Sequence, residues 1–152
     1  MPGEPLVGII MGSKSDSEAM QPCTDTLEEF GVPYELIIAS AHRAPEKVAE
    51  WSKGAAARGM KVIIGAAGKA AALPGVVASH TTLPVIGVPM KTSDLGGLDS
   101  LLSIVQMPKG VPVACVAING SRNAALLAIQ IIATGDAELA GKFAAFKAEQ
   151  AQ

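Results

Sequence analysis

Aromatic residues make up 3% of this 152-residue chain: one Trp, one Tyr and three Phe. The apolar share of 49% therefore rests on Ala, Val, Ile and Leu, which pack closely. Charge is also scarce, at 17% of residues, against about 25% in an average soluble domain. Net charge is −2. No basic excess is available to neutralise phosphates, which excludes a nucleic-acid partner. So few charges on a small domain imply that part of its surface is buried against copies of itself, a homo-oligomer.

Other shortages exclude further classes. The two cysteines, Cys23 and Cys115, lie in unrelated segments and read as buried inert thiols. With two histidines and two dispersed cysteines there is no metal-ligand cluster. A G-x-S-x-G elbow and a GxxxxGK[ST] loop are both missing. The first residues lack a basic segment followed by an apolar core. Residues 70–90 carry no charge and are long enough for a bilayer on length alone. They also hold Pro74, Pro84, Pro89 and His80, which reads as helix plus buried strand rather than membrane span. A cytoplasmic protein with no membrane partner is expected.

What is present is an alternation of strand and helix, consistent with one domain over residues 1–152. Apolar runs at 6–11, 34–39, 61–64, 83–88 and 111–118 read as strands. They are continuous rather than alternating, as in a parallel sheet covered on both faces. Between them lie helical patterns. One runs from a Ser15/Glu18 capping box to Gly31, with Met20, Cys23, Leu27 and Phe30 on its apolar face. A second opens at Pro45 and stops at Gly59. An Ala-rich third is interrupted near Pro74-Gly75, and others cover 98–105, 123–133 and 136–150. The last carries Leu139, Phe143 and Phe146 on one face, for its own domain or a neighbour. The expected fold is a three-layer α/β domain of the doubly wound type, whose ligands sit beyond the carboxyl ends of the strands.

Three strand-to-helix loops carry candidate chemistry. Residues 12–16 (GSKSD) offer amides at a helix start, hydroxyls, a cation and a carboxylate. They suit an anion and a ribose, but Ser15 and Asp16 acting only as caps is equally compatible with the spacing. Residues 40–45 (SAHRAP) pair a guanidinium fork for phosphate oxygens with an imidazole that exchanges protons near pH 7. A plain surface loop is the competing reading. Residues 65–69 (GAAGK) are small enough for a flat ring to approach the backbone, or simply make a tight turn. His80 reads as structural or interfacial.

Residues 12–16 (GSKSD), 40–43 (SAHR) and 103–108 (SIVQMP) resemble the signature segments of the PurE family. Further matches are residues 73–75 (LPG), 83–89 (LPVIGVP), 98–101 (LDSL) and 123–128 (NAALLA), in order along nearly the whole chain. The resemblance implies a flavodoxin-like fold, a homo-octamer with its C-terminal helix in oligomer packing, and neither metal nor cofactor. It implies conversion of N5-carboxyaminoimidazole ribonucleotide to 4-carboxy-5-aminoimidazole ribonucleotide in purine synthesis. Carried over by position, Ser13 and Asp16 contact the nucleotide and Ser40 and Arg43 hold its phosphate. His42 is the general acid and base. Gly68 lies against the ring and its carboxylate; Lys69 beside it either points inward to hold a carboxylate or bicarbonate or points to solvent. Carbon dioxide is released from the exocyclic nitrogen and recaptured at C4.

The chain departs from the family pattern in its second and third loops. Lys69 stands where a glycine is usual, Ala72 where a second histidine is usual, and Ala44 where Thr is usual. A basic residue at the first of these positions and no histidine at the second also occur in a related branch that carboxylates the aminoimidazole nucleotide directly. Three alternatives therefore stand beside the mutase: a direct carboxylase using carbon dioxide, a silent nucleotide-binding paralogue, and a carboxylase acting on another nucleotide. Retention of Ser13, Asp16, Ser40, His42 and Arg43 argues against silence.

Overall fold

A computed structural model describes residues 3–152. The apolar runs form five parallel strands: β1 (Val7–Met11), β2 (Tyr34–Ile38), β3 (Val62–Ala67), β4 (Val85–Pro89) and β5 (Ala114–Cys115). Their order is β2-β1-β3-β4-β5, the flavodoxin-like arrangement. Ile9 of β1 pairs with Leu36 on one side and Ile64 on the other, which fixes the register at the centre. The strands β1, β3 and β4 are buried along their whole length, as continuous apolar runs demand.

Because strand side chains alternate between faces, two cores form. Val7, Ile9, Met11, Val62, Ile64, Ile86 and Val88 pack against α1 (Ser17–Glu29) and α5 (Ser121–Ala133), through Met20, Cys23, Leu27, Ala124, Ala128 and Ile129. Ile10, Ile63 and Val85 face α2 (Pro45–Gly54), α3 (Leu73–His80) and α4 (Leu98–Val105), meeting Val48, Leu73, Val77 and Ile104. On that face β3 and β4 each carry a glycine. A Cβ on Gly65 would lie 3.4 Å from Pro74, and one on Gly87 would overlap Ile104. These glycines let α3 and α4 sit close to the middle of the two strands.

The final helix, α6 (Ala137–Gln150), is capped by Asp136, whose side chain accepts from the Leu139 amide. Its Phe143 and Phe146 rings lie 6.0 and 5.6 Å from the ring of Phe30. Its aromatic face is thus turned to its own domain.

Four local expectations are corrected. No Ser15/Glu18 capping box forms. A 3-10 turn at Lys14–Asp16 precedes α1, with Ser13 as its cap and the Ser15 hydroxyl on Ser13 Oγ. The strand β3 runs to Ala67, so Gly65 and Ala66 belong to the sheet and not to a loop. No helix lies between β3 and Leu73. Residues 69–72 are irregular, and Pro74 sits in the first turn of α3 rather than interrupting it, because the first turn needs no amide there. The run 111–118 yields a two-residue strand. It lies at the sheet edge, pairs only with β4, and holds Pro112, which cannot donate to a ladder.

Candidate functional site

The strand order reverses between β1 and β3, and a crevice opens there beyond their carboxyl ends. It is a cavity of about 390 Å³ walled by the loops after β1, β2, β3 and β4. Ser13, Asp16, Ser40, His42, Arg43, Gly68 and Lys69, drawn from three separate loops, all line it. Lys91 and Thr92, from the loop after β4, line it as well and were not singled out from the sequence. The rule that ligands gather at strand ends points to that loop, although its residues carry no motif.

The first loop holds its polar groups by local bonds. Ser13 Oγ accepts from the Ser15 amide at 3.3 Å and lies 2.9 Å from Ser15 Oγ. Asp16 takes the N-cap position of α1, but its side chain makes no capping bond. Its carboxylate lines the cavity instead. Burial pushes the Asp16 carboxyl above the usual carboxylate range, and a backbone hydrogen bond from Ser13 pulls it partly back. A half-buried carboxylate that caps nothing is free to accept from a ligand's hydroxyl groups.

The second loop is a turn closed by Ser40. Its hydroxyl accepts from the Arg43 amide at 3.2 Å, and its carbonyl accepts from the Ala44 amide at 2.8 Å. Pro45 then opens α2. The Arg43 guanidinium reaches back to donate to the Gly12 carbonyl at 3.4 Å, linking the first two loops. That long bond uses one of five donors and leaves the fork open to the cavity. His42 is exposed, and among the described residues its ring has no hydrogen-bond partner. An unengaged imidazole beside a guanidinium has no structural task to explain it.

The caps of α2 and α3 add to the field. Ala44 and Ala72 occupy these caps and make no side-chain capping bond. The orphan amides of both helices therefore face the same strand ends as Arg43. The summed potential favours an anion. In the third loop Gly68 packs closely: a Cβ there would lie 3.2 Å from Thr92 Cγ2. Lys69 has φ 55, a left-handed conformation that costs a non-glycine residue about 1–2 kcal/mol. Its ammonium contacts Asp94 at 3.0 Å. Ala72 lines the same wall, so the position of the family's usual histidine faces the cavity as an alanine.

Both thiols lie outside this cavity. Burial pushes Cys23 up to about 12, so it stays protonated. No group of three His, Cys, Asp or Glu side chains placed to hold a metal ion occurs among the described residues. None of the described helices is long and apolar enough to cross a membrane.

Comparison with known proteins follows the same lines. A Pyrococcus horikoshii protein named N5-carboxyaminoimidazole ribonucleotide mutase is 63% identical over 129 residues, 85% of this chain and 73% of that protein. A Thermotoga maritima protein of the same name is 58% identical over 143 residues, 94% of this chain and 84% of the relative. A Schizosaccharomyces pombe protein named phosphoribosylaminoimidazole carboxylase is 61% identical over 130 residues, but the match spans only 24% of that longer protein. The crystal structure of Treponema denticola PurE superimposes with a TM-score of 0.88 at 34% identity, covering 97% of this chain and 92% of that one. The family described as AIR carboxylase matches residues 6–152. With a flavodoxin-like sheet, a switch-point cavity and a family match over nearly its full length, the chain belongs to the AIR carboxylase family.

Proposed function

We propose that this protein is an N5-carboxyaminoimidazole ribonucleotide mutase, an isomerase of purine synthesis. The observation that carries the reading is the meeting of His42 with Ser13, Asp16, Ser40 and Arg43 at one cavity. The mutases of Pyrococcus horikoshii and Thermotoga maritima, similar over most of their length, support it.

The site residues divide the work. Arg43, Ser40 and the orphan amides of α2 hold the phosphate. Ser13 and Asp16 take the ribose side. Gly68 gives the flat aminoimidazole ring room against the backbone, and Lys69 lies on the carboxylate side. Protonated His42 gives its proton to the exocyclic nitrogen as the nitrogen–carboxyl bond breaks. The bonding electron pair stays on nitrogen, and carbon dioxide leaves neutral. The electron-rich C4 then attacks the trapped carbon dioxide with a ring electron pair. The C4 proton passes to His42, which regains its starting state. No external oxidant or electron sink enters the balance. Catalysis is holding the gas beside the ring and moving one proton.

The second reading is direct carboxylation of the uncarboxylated nucleotide, favoured by Lys69 and Ala72 in the third loop. One assay separates the two. The chain is given either the N-carboxylated nucleotide, or the uncarboxylated one with bicarbonate. The mutase consumes the first at low concentration. Consumption only of the second reverses the assignment, and consumption of neither favours a silent protein or another nucleotide.

We also propose a homo-oligomer, an octamer as the family resemblance implies, working in the cytoplasm. Leu95, Leu98, Leu102 and Val105 are each about half exposed or more, an apolar stripe on and beside α4 that suits contact with another copy. The phosphorylated substrate does not cross membranes unaided, which suits an interior compartment. Light scattering of the full chain reads the subunit number.

A further inference from the structure

Lys69 lines the cavity, yet its ammonium rests on Asp94 Oδ2 at 3.0 Å. Asp94 follows β4 by a few residues and is not itself a lining residue. The pair thus bridges two strand-end loops beside the cavity. Both side chains are largely exposed, 66% and 70%, so the contact is readily broken. The backbone beneath is better fixed. Gly68 is packed against Thr92 and Met90, and the Lys69 carbonyl lies 3.4 Å from Ser103 Oγ of α4, whose proton goes to the Asp99 carbonyl at 2.7 Å. A held backbone carrying a loosely held ammonium places a movable cation at the wall of the site.

The proposed reaction makes that cation double-edged. Charge leaves the substrate carboxylate as carbon dioxide forms, and returns when C4 is carboxylated. A bare ammonium against the carboxylate would stabilise substrate and product more than the carbon dioxide state between them. Such binding lowers KM but raises the barrier. A carboxylate on the far side of the ammonium offsets this by drawing off part of its field.

We propose that Asp94 is a positioning residue that holds and partly neutralises Lys69, so that Lys69 receives the substrate carboxylate without trapping it. The inference rests on the mutase reading and adds a residue that lies outside the cavity lining.

The test compares kcat and KM of the wild type, Asp94→Asn, Asp94→Glu, Lys69→Met and the Asp94→Asn/Lys69→Met double variant on the N-carboxylated nucleotide. Affinities for the C4-carboxylated product and the uncarboxylated nucleotide are measured beside them. Asp94→Asn lowers KM and kcat together, each by about 3–10-fold, because ground-state binding has been strengthened. Asp94→Glu restores both. Lys69→Met weakens the carboxylated product by about tenfold and leaves the uncarboxylated nucleotide unchanged within about twofold, since only a carboxylate contact is lost. The double variant matches Lys69→Met, because Asp94 acts through Lys69. Unchanged kcat and KM in Asp94→Asn, with the wild type active, overturn the inference alone. An equal effect of Asp94→Asn with and without Lys69 also overturns it. A wild-type chain that neither binds nor converts the carboxylated nucleotide overturns the functional reading and this inference with it.

Discussion

Replacing Arg43 by Met removes the guanidinium while keeping an aliphatic stem of similar reach. Among the described residues the guanidinium makes one bond, to the Gly12 carbonyl at 3.4 Å, and the side chain is exposed. Fold stability should therefore change by no more than about 0.5 kcal/mol. Ligand binding is a different matter. A guanidinium fork on a phosphate makes two charge-assisted hydrogen bonds. Bonds to charged groups contribute about 1.5–3 kcal/mol each, and exposure to solvent and salt favours the low end. Two such bonds give about 3 kcal/mol, or roughly a hundredfold in affinity. Calorimetric titration with the ribonucleotide and with its dephosphorylated nucleoside reads this directly. The variant should bind the nucleotide roughly a hundredfold more weakly and the nucleoside as before. The gap between wild type and variant should shrink as salt rises. Equal loss for both ligands would place Arg43 elsewhere on the substrate, and no loss for either would remove it from the site.

Other expectations test the electrostatics and the core. Burial raises the Asp16 carboxyl above its ordinary 3.8, so the folded state binds more protons than the unfolded one and stability falls as pH climbs through that range. Asp16→Asn escapes the penalty: thermal melts should show it no less stable at pH 7, with any advantage fading as pH falls towards 4, while its nucleotide affinity drops. Ile64 is fully buried at the centre of β3. Its replacement by Ala should lower the unfolding free energy in urea by about 2–5 kcal/mol, and a smaller change would mean that the core between the sheet and α1 and α5 is loosely packed.

The sheet was legible because its signal is a matter of solvent. Strands covered on both faces have no polar alternation to conserve, and the runs around Ile9, Ile64 and Ile86 show none. The β5 edge was the exception. The segment around Cys115 has the same composition, but it sits at the edge and pairs for two residues only. Residues 69–72 look helical by Ala content, yet Lys69 turns left-handed and the helix starts only at Leu73, with Pro74 in its first turn. Propensity is a weak guide in a turn that follows directly on Gly68, which is packed against Thr92 and Met90. Spacing alone could not say whether Asp16 caps its helix. The answer depends on where the carboxylate points, which is a tertiary fact. Lys91 and Thr92 escaped notice because nothing in their own segment marks them, and they reach the cavity only through the pairing of β4 with β3.

The central claim is that one imidazole carries the proton in a cavity whose other groups only bind. Turnover of His42→Asn on the N-carboxylated nucleotide, measured alongside its affinity for that nucleotide, addresses it most directly. Loss of a positioned proton carrier costs about 10²–10⁴-fold in rate, so kcat should collapse by that factor while binding stays within a few-fold of wild type. Wild-type turnover in the variant would contradict the account.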